Sequence, residues 1–331
     1  MKILVTGGAG FIGHHIVQYF LEKTDWDIIV LDRLDISGNL NRLADLPNWE
    51  SGKTRVQFVY HDFKAPITEF ISRQIGDVEY ILHLGGSTHV DRSIEDPASF
   101  AMDNVLGTTN MLNYARTLKN LKRFINFSTD EVFGPAPEGY AHKESDPYRP
   151  SNPYSASKAG ASAMGYAFFI TYGLPVVTTY AMNNFGERQH PEKLIPKIIR
   201  AVMEQKPMPI FAAVDPATGR MTSIGSRCWL HCRNTASALY LLLEHGVPGE
   251  SYAIIGFDEL SNLEIAQKIA AYAGKPLIPH LIDFHAIRPG HDARYALDGS
   301  KMKKMGWVPE IDFDTSLKQT VEFALHNPQW S

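Results

Sequence analysis

Residues 2–32 limit the fold more than any other part of this 331-residue chain. Lys2–Thr6 (KILVT) is a short apolar run stopped by glycines, the pattern of a buried strand. Gly7-Gly8-Ala9-Gly10-Phe11-Ile12-Gly13 follows. A helix is predicted from about Phe11 to Glu22, with Ile12, Ile16, Val17 and Phe20 on its inner face. Asp27–Leu31 reads as a second strand that ends at Asp32. A strand, a glycine turn, a helix and then an acidic residue about 20 positions on is the arrangement that binds a dinucleotide. The glycines let backbone N–H groups of Phe11, Ile12 and Gly13 approach a pyrophosphate at the helix N-terminus. A carboxylate at Asp32 can accept from both ribose hydroxyls and repels a 2′-phosphate, so NAD is expected rather than NADP. Arg33, next in sequence, pulls the other way. Asp62, just after a third strand, is expected at the adenine amino group, with an ordinary turn role as the alternative.

The same rhythm continues. Arg55–Tyr60, Tyr80–Leu84, Arg123–Phe127 and Pro175–Tyr180 read as strands. Helices are predicted from Pro97, which suits a helix start, to about Leu118, and from Pro153 to Tyr172. Strand–helix alternation predicts an α/β fold, a Rossmann doubly wound parallel sheet. Beyond Tyr180 proline and loop-forming residues become frequent, and a smaller mixed C-terminal substrate lobe is expected. Helices are predicted near Asn234–His245, Asn262–Ala273 and Thr315–His326, and a strand near Ser251–Ile255. The expected division is residues 1–180 for NAD, with 226–256 returning to that domain, and 181–225 with 257–331 for substrate. Ala212–Ser226, rich in Gly, Thr and Ser, reads as an exposed loop.

The chemistry concentrates between Phe124 and Lys158. Thr129, Asp130 and Glu131 follow the fifth strand, at the carboxyl rim of the sheet where reactive groups gather. Tyr154 and Lys158 lie one helical turn apart on one face. A phenol beside an ammonium can serve as a base near neutral pH, because the cation favours phenolate. A carboxylic acid beside a carboxylate suits elimination of water, and repulsion between the two would keep one protonated.

The bulk charge excludes other classes. Net charge is -4 and no basic run exceeds a few residues, so there is no nucleic-acid footprint. Cys228 and Cys232 have neither zinc-ribbon nor thioredoxin spacing and read as free thiols. His14, His15, His89 and His291 make no metal-ligand pattern. No stretch has the length of a signal-peptide core or a membrane span, so a cytoplasmic protein is expected.

Seven motifs carry a resemblance: TGGAGFIG at 6–13, HVDRSIEDP at 89–97, NVLGT at 104–108, FSTDEVFG at 127–134, NPYSASKA at 152–159, NNFGERQHPEKLIP at 183–196 and RPGHDARYALD at 288–298. With them the chain resembles the nucleotide-sugar 4,6-dehydratases of the extended short-chain dehydrogenase/reductase family. The resemblance implies a hydride lent to NAD from C4 of the sugar and returned at C6. Tyr154 would be the base at the 4-hydroxyl, with Thr129 orienting it. Glu131 would take the C5 proton, and protonated Asp130 would protonate the departing 6-hydroxyl. Lys158 would bond the nicotinamide ribose and depress the Tyr154 pKa. Leu84 and Ser128 would join Gly7, Gly10 and the helix start in holding the cofactor. Thr88 would touch the hexose, Asn183 a phosphate, Arg227 and Arg288 the pyrophosphate. Tyr295 would add a hydroxyl contact, and Glu192, Lys193 and Leu194 would lie along the nucleotide. A homodimer through helices 97–118 and 153–172 is also implied.

Four departures from the family pattern fall near the substrate. Gly85-Gly86-Ser87 stands for Ala-Ala-Glu, His190 for phenylalanine and Phe211 for tyrosine. Residues 211–234 carry an insertion, and Cys228, His231 and Asn234 are changed. dTDP-glucose is the first substrate expected, with UDP-, CDP- and GDP-hexoses left open. The rival readings are a 4-epimerase, which needs no acid pair, and a non-catalytic NAD-binding regulator.

Overall fold

The computed structural model describes residues 1–214, 217–218, 221–256, 258–283 and 294–330. Six strands run as expected: β1 (Lys2–Thr6), β2 (Asp27–Asp32), β3 (Val56–Tyr60), β4 (Tyr80–His83), β5 (Arg123–Thr129) and β6 (Val176–Ala181). With Ser251–Ile254 they form one sheet in the order Ser251–Ile254, β6, β5, β4, β1, β2, β3. Every neighbouring pair is parallel. A parallel sheet must be covered on both faces, and alternate side chains go to opposite sides. Ile3, Val5 and Val30 pack under helix α1 (Phe11–Lys23) and Leu239 and Leu242 of helix Cys232–His245. Leu4, Ile29 and Leu31 pack with Met111, Leu112 and Phe168 on the other side.

The strand order reverses between β1 and β4, which opens a crevice at their carboxyl ends. The helix expected from Pro97 is built in three parts: Pro97–Phe100, a π-helical turn Ala101–Leu106, and Gly107–Ala115. Helix Pro153–Tyr172 starts at a reciprocal Asn152–Ser155 cap with proline at its first turn, which fixes where Tyr154 stands.

A second hydrophobic cluster joins helices Leu194–Glu204, Asn262–Ala273 and Phe313–His326 through Phe185, Ile198, Ile265 and Leu317. Beside it, Met208–Val214 pairs parallel with Pro279–Asp283 and antiparallel with Met221–Ile224. The expected loop at Ala212–Ser226 is therefore largely a hairpin. Ala212 is buried opposite Ile224, and Ala217 and Thr218 are the exposed residues described at its tip. Its small polar composition hid a hairpin whose first strand is also held by Pro279–Asp283 from elsewhere in the chain. No helix among the described residues is long and apolar enough to cross a membrane.

Candidate active site

The crevice deepens into a cavity of about 550 Å³. One end is the glycine turn. Gly7 has φ +68, and a Cβ there would lie 2.9 Å from the Gly85 backbone. A Cβ on Gly13 would come within 2.1 Å of the Gly7 carbonyl. The turn is thus closed by backbone against backbone, as close approach of a pyrophosphate needs. The start of α1 has no side-chain cap, so its free N–H groups face the crevice. Gly10, Phe11, Ile12 and Leu84 line the same end. Asp32 is buried there, accepting from Ala9 N at 3.1 Å and Leu34 N at 2.8 Å. These features fit a dinucleotide, and the residues expected to hold it converge.

Asp62 is different. Its carboxylate accepts from Lys64 N at 3.0 Å and pairs with Arg33 and Lys64. It is not among the residues lining the cavity, so the turn role is the one the structure displays.

The reactive groups meet in the middle of the cavity. Ser128, Thr129, Asp130, Glu131, Tyr154 and Lys158 all line it. Thr129 ends β5 and caps a tight 3-10 turn over Asp130–Phe133. Its hydroxyl donates to Asp130 Oδ1 at 2.9 Å and accepts from Glu131 N at 3.4 Å. Asp130 Oδ2 is buried with no hydrogen-bond partner among the described residues. Burial pushes the Asp130 carboxyl up to about 6, against the opposing pull of Thr129 and Arg227. The shift goes in the direction expected for an acid, but its main cause is desolvation, not repulsion by Glu131. Asn152 Nδ2 donates to Glu131 Oε2 at 3.5 Å.

Lys158 corrects one expectation. Its Nζ donates to the Phe127 carbonyl at 2.6 Å, and burial draws its pKa down to about 8. Tyr154 is pushed well above the ordinary phenol value by burial and then by Glu131, while Thr129 lowers it. In this arrangement Lys158 is not among the groups that move Tyr154, and its ammonium is turned to the strand carbonyl.

At the far end, Thr88, Asn183, Glu192, Lys193, Leu194 and Arg227 line the cavity, as does Tyr295. Arg227 reaches Asn183 Oδ1 at 3.4 Å and lies over the Tyr295 ring at 5.7 Å. Glu192 accepts from Arg92 at 2.8 Å, with His89 and His190 each 3.6 Å away. Arg288 and His291 lie outside the described residues. Two wall residues were not anticipated. Asn262, at the first turn of its helix, lines the cavity with a buried Oδ1 that has no partner among the described residues. Its sequence signal was only a helix start. Asp103 lines the adenosine end from the π-helical turn, where nothing local marked it.

A Rossmann sheet, a dinucleotide cradle and an acid pair beside a Tyr–Lys couple define a class of redox enzyme acting on a bound sugar. The chain belongs to the nucleotide-sugar 4,6-dehydratase family: the family model described as GDP-mannose 4,6 dehydratase matches residues 4–320. It is 37% identical to dTDP-glucose 4,6-dehydratase of Salmonella typhimurium, over all of this chain and 94% of that one. It is 38% identical to the low-salt glycan biosynthesis protein Agl12 of Haloferax volcanii, covering 98% and 99%. Among solved structures it is similar to DesIV, the dTDP-glucose 4,6-dehydratase of Streptomyces venezuelae solved with NAD and a second ligand. That match has a TM-score of 0.88 and 35% identity, covering all of this chain and 98% of the other. The NAD complex of UDP-glucose 4-epimerase from Thermus thermophilus is similar too, with a TM-score of 0.85 and 27% identity over 98% of each chain.

Proposed function

We propose that the protein is an NAD-dependent hydro-lyase that converts a nucleoside-diphosphate hexose, dTDP-glucose first, to its 4-keto-6-deoxy sugar. The observation that carries this reading is the pair at 130–131. Asp130 is held above the ordinary carboxylate range, at about 6, with one oxygen that has no partner among the described residues, next to Glu131 and within the same cavity as Tyr154. A 4-epimerase has no use for such an acid. Bound NAD supplies a hydride acceptor at C4, a hydride donor at C6 and, when oxidised, a positive ring that favours phenolate. Tyr154 takes the proton of the 4-hydroxyl, which Thr129 helps to orient. The resulting ketone makes the C5 proton acidic, and Glu131 removes it. Asp130 gives its proton to the 6-oxygen, which leaves as water. Lys158 holds the nicotinamide ribose. Each acid–base group is worth on the order of 10²–10⁴-fold.

Asn183, Arg227 and Tyr295, with Arg288, hold the pyrophosphate, where a planar guanidinium matches phosphate oxygens. Thr88 meets the hexose. Glu192, Lys193 and Leu194 lie along the nucleotide. The lobe of 181–225 and 257–331 closes over the sugar, while 1–180 with 226–256 carries the cofactor. His190 and Phe211 are wall residues, so the nucleobase is the part of the substrate most open to change. A homodimer through helices 97–118 and 153–172 is supported by exposed Met102, Leu106, Tyr166 and Ile170. The setting is cytoplasmic, as expected for a nucleotide-sugar enzyme. The test is incubation with dTDP-, UDP-, CDP- and GDP-hexoses and mass spectrometry for loss of water. A C4-inverted product with no water lost, or no turnover with NAD bound, would sink this reading.

A further inference from the structure

Arg33 presents a conflict. It directly follows Asp32 and lines the cavity, where a free guanidinium would attract an adenosine 2′-phosphate. In the structure it is not free. Asp103 takes it in a bidentate pair, Oδ1 at 2.7 Å from one terminal nitrogen and Oδ2 at 2.8 Å from the other. Asp35 accepts from Nε at 3.0 Å and from a terminal nitrogen at 2.7 Å, and Asp62 accepts at 3.4 Å. Those bonds are as many as the guanidinium has N–H donors.

The neighbourhood is also negative. Arg33 and Lys64 face the carboxylates of Asp35, Asp62 and Asp103. Two positive charges against three negative leave one negative charge, before Asp32 is added. Asp103 is buried, and a Ser87 hydroxyl and Lys64 hold it in place beside Arg33. The anion beside Ser87 comes from the π-helical turn at 101–106.

We propose that Asp103 sets the preference for NAD over NADP by holding the Arg33 guanidinium against itself. Asp103 is a positioning residue that acts through Arg33, not a ligand of the cofactor. The inference rests on the reading that the glycine turn and Asp32 hold the dinucleotide.

The test is calorimetric titration of nucleotide-free protein with NAD+ and with NADP+. Wild type, Asp103→Asn, Arg33→Gln and the double variant are compared. Releasing a guanidinium next to a phosphate should raise the NADP/NAD affinity ratio of Asp103→Asn by about tenfold or more. The double variant should return that ratio to the wild-type value. Arg33→Gln alone removes a cation that carboxylates already neutralise and should not raise the ratio, a readout that stands even if Asp103→Asn folds poorly. Equal weakening of both nucleotides in Asp103→Asn would mean a structural role only and overturns the proposal. So would a ratio that stays raised in the double variant, or one that rises in Arg33→Gln. Wild-type protein that binds neither nucleotide instead overturns the reading of the glycine turn.

Discussion

Asp130 and Asp103 stand in different parts of one cavity, and each is 4% exposed. Their ionisation goes in opposite directions. Burial raises Asp130 to about 6, since a hydroxyl from Thr129 and the charge of Arg227 only partly offset it. Burial also pushes Asp103 up, but Arg33, Ser87 and Lys64 outweigh it and hold the carboxyl below its ordinary value. The same residue type is raised in one place and lowered in the other. Protein atoms enclose Asp130 more deeply, while Asp103 has more cations within reach. That is why the reactive centre can do acid chemistry while the adenosine end only sorts charges.

The comparison breaks most visibly in turnover. Glu131→Gln should lower dehydration by on the order of 10²–10⁴-fold, with NAD still bound, as read by mass spectrometry of the product. Turnover within a few-fold of wild type would remove the acid–base reading of this centre.

Stability against pH sharpens it next. Asp130 has a raised pKa in the folded state, so its favourable contribution is complete below the unfolded carboxyl value and is lost as pH rises through about 6. An ionised Asp130 at pH 8 costs on the order of 3 kcal/mol. Asp130→Asn should therefore match wild type near pH 4 and be more stable at pH 8, though inactive. Asp103 has the opposite sign: its contribution is present above the unfolded value and lost as pH falls through its lowered one. Asp103→Asn should be less stable at pH 8 by about 1–3 kcal/mol. Urea unfolding of both variants at the two pH values decides the matter, and shifts of the same sign would contradict the contrast.

The smallest effect concerns a third carboxylate. Glu192 sits between Arg92, His89 and His190. His190→Phe should change KM for the nucleotide sugar by about threefold and leave kcat alone, the mark of uniform binding. A fall in kcat would place His190 nearer the chemistry.

Much of the site was legible because its parts are neighbours in the chain. Gly7 to Gly13 form a single turn, Thr129 to Glu131 are consecutive, and Tyr154 and Lys158 are one helical turn apart. The substrate wall was legible only through the motif at 183–196 and its companions, since those segments meet by folding alone. Asp103 was missed because it lies in an ordinary-looking helix whose π-helical turn has no clear sequence sign. Ala212–Ser226 was misread for a related reason: its first strand is held in part by Pro279–Asp283, which is distant in sequence.

Local sequence alone determined the parallel sheet, the dinucleotide turn and the set of reactive side chains, because each depends on spacing over a few residues. The tertiary structure decided what state those side chains are in. It sent the Lys158 ammonium to the Phe127 carbonyl, buried Asp130 deeply and wrapped Arg33 in carboxylates. Charge states depend on burial and on neighbours brought from other segments, and no stretch of the chain carries that information by itself.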